Sequence, residues 1–264
     1  MSWLEVAGPG VVAVRSETES GVLAPEVWRI TVGLGVARDD ASLDTALAAA
    51  AAADADLNIV RFASGHDWVV HRLLAGSAVT VPAGSTLYWE FSARADGGRP
   101  SHHDHTLRSF AATEGDRCRH LFHQTFGSYS NHYSANPWLR KVDVGAAYAD
   151  WAARSLQDPL CEVAEWVGPE GAVEALGLTR HVRGVAEILL AGVLPPFRRR
   201  GVYPVFLRAL TSSALGRGCE RVVISTQDHN TAVQRLWARE GFEPVLAVTT
   251  VHLVARATKR ADQP

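Results

Sequence analysis

The run Val193-Leu-Pro195-Pro-Phe-Arg198-Arg199-Arg200-Gly201-Val202-Tyr203 joins the end of an apolar strand to the start of a helix. A junction of this kind can hold an anion. The first amides of a helix have no intrahelical acceptor, point outward and lie at the positive end of the macrodipole, so a pyrophosphate can dock on them. Gly201 allows close approach of a ligand to the backbone, and the neighbouring arginines add full charges. The same composition also builds an ordinary solvated helix cap, so the run alone leaves both readings open. The histidines at 102, 103 and 105 surround Asp104, but ligands adjacent in sequence do not converge on one ion, and no metal is expected. His120, His123 and His132 lie among aromatic residues, where either a binding loop or core packing would use them.

The elements that would position these groups follow from hydrophobic periodicity. Val27–Val32, Leu57–Phe62 and Leu87–Phe91 read as strands, and Asp39–Asp56 and Asp67–Leu74 as helices, the second ended by Gly76. The segment Arg94–Thr106 is rich in glycine, proline and polar residues and marks a boundary between two units, residues 1–100 and 101–260. Arg117–Trp138 reads as irregular, and Val142–Leu156 as an amphipathic helix. Strands are expected over Glu162–Val167, Ala172–Leu178 and Val185–Val193, then a helix from Gly201 to Leu215, a strand Arg221–Thr226, a helix Thr231–Arg239 stopped by Gly241, and a strand Val245–Val254.

With these elements in order, the basic run resembles motif A of the GNAT acetyltransferases. The signature R/Q-x-x-G-x-G/A falls on Arg198, Gly201 and Tyr203, after a proline-turn-aromatic lead-in from Pro195 to Phe197. Tyr203 replaces the usual small residue. Downstream, Asn230-Thr-Ala-Val-Gln-Arg-Leu-Trp237-Ala-Arg-Glu-Gly241-Phe242 is similar to motif B of the same superfamily. The resemblance implies an α/β fold of the GNAT type, a mixed and mostly antiparallel sheet flanked by helices, with a smaller N-terminal α/β domain. It further implies that acetyl-CoA or another acyl-CoA is the co-substrate, with no metal. Val193, Pro195, Arg198, Arg199, Arg200, Gly201, Val202, Tyr203, Asn230 and Trp237 would hold it, and the Val193 amide would polarise the thioester carbonyl. Where many members carry a tyrosine that protonates the leaving thiolate, this chain has Trp237, an indole that is no useful acid.

Acyl transfer to an amine also needs a base. Glu187 stands six residues before Val193, the offset at which some members place a general-base glutamate; a solvent-facing or ion-paired glutamate is the competing reading. Six is even, so the two residues share a face of a regular strand, and a bulge would undo that parity. Over most of its length the layout is similar to bacterial dTDP-4-amino-sugar N-acetyltransferases, including those acting on dTDP-fucosamine. That likeness implies an aminosugar acceptor, nucleotide-linked or free, lined by Tyr129, Asn131, His132 and Tyr133. An aminoglycoside, polyamine or peptide amine is the alternative acceptor, and a non-catalytic acyl-CoA-binding module is the alternative outside enzymes.

Composition bounds the rest. The chain has 264 residues, a formal net charge of -2 and 47% hydrophobic content, which predicts a folded protein without the electrostatic footprint of a nucleic-acid or membrane-surface binder. Cys118, Cys161 and Cys219 are widely spaced, suggesting a reducing compartment, and a cytoplasmic enzyme with a small-molecule amine partner is expected, as a possible homodimer.

Overall fold

The computed structural model describes residues 3–17, 19–20, 23–92, 105–127, 132–139 and 143–255. In chain order the elements are α1 (Trp3–Val6), β1 (Val11–Arg15), β2 (Val27–Val32), α2 (Ser42–Ala52), β3 (Leu57–Ala63), α3 (Asp67–Leu74), β4 (Val79–Ser92), β5 (Thr106–Ser109) and α4 (Gly115–Phe126). They continue with α5 (Val144–Ser155), β6 (Cys161–Val167), β7 (Val173–Val182), β8 (Val185–Val193), α6 (Val202–Gly216), β9 (Arg221–Gln227), α7 (Thr231–Arg239) and β10 (Glu243–Val254). The ten strands form one sheet in the order β1-β2-β3-β10-β4-β9-β8-β7-β6-β5. Only β2 with β3 and β8 with β9 run parallel, as the mixed, mostly antiparallel expectation requires.

The boundary expected near residue 100 does not interrupt this sheet. β10, the last strand, inserts between β3 and β4, and β4 then pairs with β9. Most of the linker expected over 94–106 lies outside the described residues; Thr106 already belongs to β5.

Each half of the sheet is covered on both faces. In the first half, Ile30, Val60, Phe62 and Val251 pack against α2 and α3, while Leu57, Ile59 and Val254 on the opposite face meet the segment carrying Tyr133, Trp138 and Leu139. In the second half, Trp89, Ile188 and Ile224 pack against Phe206, Leu207 and Leu210 of α6 and Trp237 of α7, and Leu176, Leu178 and Leu190 pack against α4 and α5.

The expectation of an irregular segment over Arg117–Trp138 is overturned. α4 occupies its first half, and Cys118, Phe122 and Phe126, spaced four apart, form its buried stripe. Apart from the buried Thr125, the polar and histidine residues between them face outward, and their low apolar content hid the helical period. Among the described residues a short 3-10 turn, His132–Ala135, follows before α5. α2 is shorter than the alanine-rich run suggested, and β4 is longer. β4 accommodates Pro82 and Gly84 at an irregularity opposite β10, where Gly84 takes a positive φ of 96°. α1 and β1 were not anticipated, because neither is long enough to show a period.

Phe122 is fully buried between α4, α5 and the sheet. Phe122→Ala should therefore cost about 3–5 kcal/mol in urea unfolding. A cost below about 1 kcal/mol would mean that α4 is not packed as described.

Candidate active site

β8 and β9 pair at only four positions, Val185–Ile188 with Arg221–Ile224, and then part. The cause lies on the other side of β8. Leu178 pairs with Leu190 but Thr179 with Ile188, so Leu189 is an extra residue, a bulge that bends the strand away from its parallel neighbour. The bulge also reverses side-chain parity. Ala191 and Val193 pack towards α6, whereas Glu187 points into a cavity with Tyr88 and Arg61, so Glu187 and Val193 do not share a face. The Leu194 amide donates to the Glu174 carbonyl at 2.9 Å across the β7 edge. Because successive amides alternate in direction, the Val193 N–H is turned to the edge where β9 has left.

A cavity of about 340 Å³ passes through this opening. One side carries Tyr203 of α6 and Asn230 and Val233 at the start of α7; the floor is the split strands, Leu189–Ala191 and Ser225–Gln227; the other side carries Tyr148 and Trp151 of α5 with His132 and Tyr133. Arg29, Arg61 and Tyr88 close the far end.

Glu187 is buried, and its Oε1 accepts the Trp3 backbone N–H at 2.9 Å. Burial pushes its carboxyl up to about 7, against the Trp3 hydrogen bond and several positive charges, Arg61 among them, which favour the ionised form. A carboxylate so placed gains and loses its proton near neutrality, the range in which a general base works best. The neighbouring histidines and Tyr88 are uncharged. Burial holds His132 well below its ordinary value and His252 down to about 4, and holds the Tyr88 hydroxyl above its own. His132 Nδ1 lies 3.1 Å from His252 Nε2, and Asn136 meets the other nitrogen of His252 at 3.2 Å, so the pair is a buried hydrogen-bonded support for the cavity wall. Tyr133 donates its hydroxyl to Glu19, which is also paired with Arg29.

At the other mouth, the turn after β8 is a 3-10 segment, Pro195–Phe197, followed by Arg199 and Gly201 with positive φ of 62° and 78°. Gly201 is the N-cap of α6; no side chain among the described residues caps the helix, so its leading amides face outward. Arg198 is committed to structure: its Nε donates to the Val193 carbonyl at 3.1 Å and its Nη2 to the Thr125 carbonyl at 2.8 Å, tying the turn to β8 and to the end of α4. Arg199 and Arg200 are exposed, the latter over the Phe197 ring. Asn230 holds the N-cap position of α7 without a side-chain bond to the helix, and donates instead to Thr226 Oγ1 at 3.0 Å. Trp237 does not line the cavity. It is buried against Trp89, and its indole N–H donates to the Tyr203 hydroxyl oxygen at 3.2 Å.

The structure thus brings Glu187, His132, Tyr133, Tyr203 and Asn230 to one cavity and sets Trp237 behind Tyr203. Tyr129 and Asn131 lie outside the described residues. Arg61 and Tyr88 were not singled out from the sequence. The signal for Arg61 was available, a lone arginine inside the buried run LNIVRF. Among the described residues there is no group of three or more potential metal ligands; of the histidine cluster only His105 is described, and it stacks on Trp166 and pairs with Glu174. Among them, too, no helix is long and apolar enough to cross a membrane.

Residues 130–242 match the acetyltransferase (GNAT) family. The span runs from just before the 3-10 turn at His132 to Phe242, just past α7, and so contains both strands that part and both helices beside the opening. No protein of curated function matches the sequence. Among solved structures, a GCN5-related N-acetyltransferase from Sphaerobacter thermophilus superposes with a TM-score of 0.61 at 15% identity, covering 92% of this chain and 76% of that one. A GCN5-related N-acetyltransferase from Kribbella flavida gives 0.59 at 16% identity, covering 95% and 88%. A tandem GNAT protein from the clavulanic acid biosynthesis pathway gives 0.57 at 12% identity, covering 86% and 74%. At such identities the likeness is one of fold: the chain has the fold of these GCN5-related N-acetyltransferases, and its residues 130–242 are similar to the acetyltransferase (GNAT) family.

Proposed function

We propose that the protein transfers an acyl group, acetyl in the simplest case, from coenzyme A directly to a primary amine held in the cavity beside Glu187. The observation that carries this reading is the passage of one cavity through the opening between β8 and β9, which joins the uncapped start of α6 to a buried carboxyl titrating near neutrality. The pyrophosphate would sit on the amides from Arg199 to Tyr203, with Arg199 and Arg200 adding charge, and the pantetheine would run past Asn230 into the opening. The acceptor ammonium first loses a proton to solvent, and Glu187 takes the second proton from the amine as the new bond forms, directly or through water. The nitrogen attacks the thioester carbon, and the Val193 N–H donates a hydrogen bond to the oxygen on which negative charge develops. As the carbon–sulfur bond breaks, Tyr203 gives its hydroxyl proton to the thiolate, and Trp237 stabilises the phenolate oxygen through its indole N–H. Solvent restores both protonation states.

The acceptor is a primary amine of roughly monosaccharide or amino-acid size. An aminosugar, free or nucleotide-linked, is one member of that class. Polyamines and aminoglycosides fit less well, because the cavity is not acidic: Glu187 holds its proton up to about pH 7, and Arg61 adds a positive charge. In this proposal residues 1–100 form a unit that supplies the acceptor end, and 101–260 the transferase unit. The free thiols of Cys118, Cys161 and Cys219 and the need for acyl-CoA suit the cytoplasm.

The deciding experiment is release of free thiol from acetyl-CoA against a broad panel of amines, with calorimetric titration of CoA alongside. Glu187→Gln should lower kcat by ~10²–10⁴ with CoA affinity unchanged, and wild-type kcat/KM should fall about tenfold per pH unit below about 7, a limb that the variant lacks. Turnover equal to wild type would remove Glu187 from the chemistry. Tyr203→Phe should lower kcat by ~10²-fold, the low end of acid–base contributions because a thiolate is a good leaving group, while Trp237→Phe should give a smaller loss. An unchanged kcat in Tyr203→Phe would assign the thiolate proton to solvent.

The same carboxyl makes a stability prediction. Its folded value, about 7, lies above the ordinary 4.5, so the native state binds the extra proton and this contribution to stability declines as pH rises from about 4.5 to about 7. Glu187→Gln removes that loss and should melt higher than wild type at pH 8 but not at pH 4. A lower melting temperature for the variant at pH 8 would show that the charge is stabilised in place.

A further inference from the structure

Arg61 rises from the middle of β3, between Thr31 of β2 and Thr250 of β10, on the face that carries Leu57 and Ile59. Its Nε is buried and has no hydrogen-bond partner among the described residues, and its Nη2 reaches only the Tyr88 hydroxyl, at 3.4 Å. No carboxylate of a described residue lies within ion-pair distance of it. The other arginine at this end, Arg29, is neutralised by Glu19. The groups around Arg61 compensate its charge only in part: His132 is held neutral by burial, Tyr88 keeps its proton, and Glu187, near enough to feel the guanidinium but not ion-paired with it, is only partly ionised at neutral pH. A guanidinium kept largely from water with no anionic partner is costly, and its planar fork suits the two oxygens of a carboxylate or phosphoryl group.

Resting on the acyltransfer reading above, we infer that Arg61 is a specificity-determining residue whose ligand is an anionic group of the acceptor, so that the substrate carries both an amine and a carboxylate or phosphoryl oxygen. The amine end meets Glu187 and the opening between β8 and β9, and the anionic end meets Arg61 beside Tyr88 and Thr86. A cationic acceptor would place like charge against Arg61 and is disfavoured for the same reason.

The test uses the full chain, acetyl-CoA and matched amines: straight-chain amino carboxylates of increasing length, the corresponding carboxamides, aminoalkyl phosphonates, and a nucleotide-linked aminosugar. The carboxylate and phosphonate arms distinguish the two oxygen sources, and the nucleotide arm asks whether a diphosphate serves. An anionic amine should exceed its carboxamide partner by about 30-fold or more in kcat/KM, Arg61→Gln should abolish that advantage while leaving the carboxamide rate within a few-fold, and Arg61→Lys should restore part of it. Equal rates for the matched pair in wild type, or an Arg61→Gln loss shared by every amine, would overturn the inference. Melting curves establish that each variant is folded. If Arg61→Gln is not, Arg61→Lys decides: a rise in KM selective for anionic amines supports the inference, and no such rise overturns it. If no amine releases thiol although CoA binds, acyl transfer is the reading that fails. Calorimetry with the amino acids then decides for Arg61: binding lost in Arg61→Gln sustains the anion site, and no binding overturns it.

Discussion

Parallel strands β8 and β9 share four paired positions and then separate at the Leu189 bulge. Backbone groups beyond the last pair must find other partners, and buried polar groups rarely go without. One edge of β8 goes on pairing with β7, while the facing edge opens onto a cavity. In the proposed acyl transfer, a pantetheine amide chain would supply the missing strand at this edge. The remaining features can be referred to this opening: α6 begins just beyond it, α7 flanks it, and Glu187 lies just before it.

The cores on the two faces keep the opening from closing. Phe206, Leu207 and Leu210 of α6 pack against Ile188 and Ile224 on one face, while α4 and α5 pack against Leu176, Leu178 and Leu190 on the other. Arg198 adds a polar clamp between the turn, β8 and the end of α4. A cavity with walls fixed in this way needs little reorganisation when ligands arrive, and such preorganisation is where much of the rate advantage of positioned reactants originates.

Charge is distributed to match. Positive charge and outward amides gather at the α6 mouth of the cavity, and a guanidinium with no carboxylate partner among the described residues stands at its far end. Between them lie side chains that burial keeps neutral. Glu187 is the exception by degree, poised near neutrality because burial outweighs its single amide hydrogen bond and the reach of Arg61. A group held in this state costs stability above neutral pH, which is the usual relation between a reactive site and the fold that carries it.

Local pattern determined a good deal in advance. The strand Val185–Val193, the helix Thr231–Arg239, the helix beginning after Gly201 and the anion-binding character of the turn between them all follow from periodicity, capping and the geometry of helix ends, which depend on neighbours in sequence. The carboxyl at Glu187 was visible, but its environment was not, because burial and the Trp3 amide come from elements far apart in the chain. Only the tertiary structure decided that a bulge would set Glu187 and Val193 on different faces, that Trp237 would stand behind Tyr203 instead of in the cavity, and that α4 would form within an aromatic, histidine-rich run. It also decided that β10 would thread between β3 and β4, carrying Arg61 into the same cavity as Glu187. These are long-range outcomes, fixed by which apolar faces find one another and by strand order in the sheet, and no window of neighbouring residues contains that information.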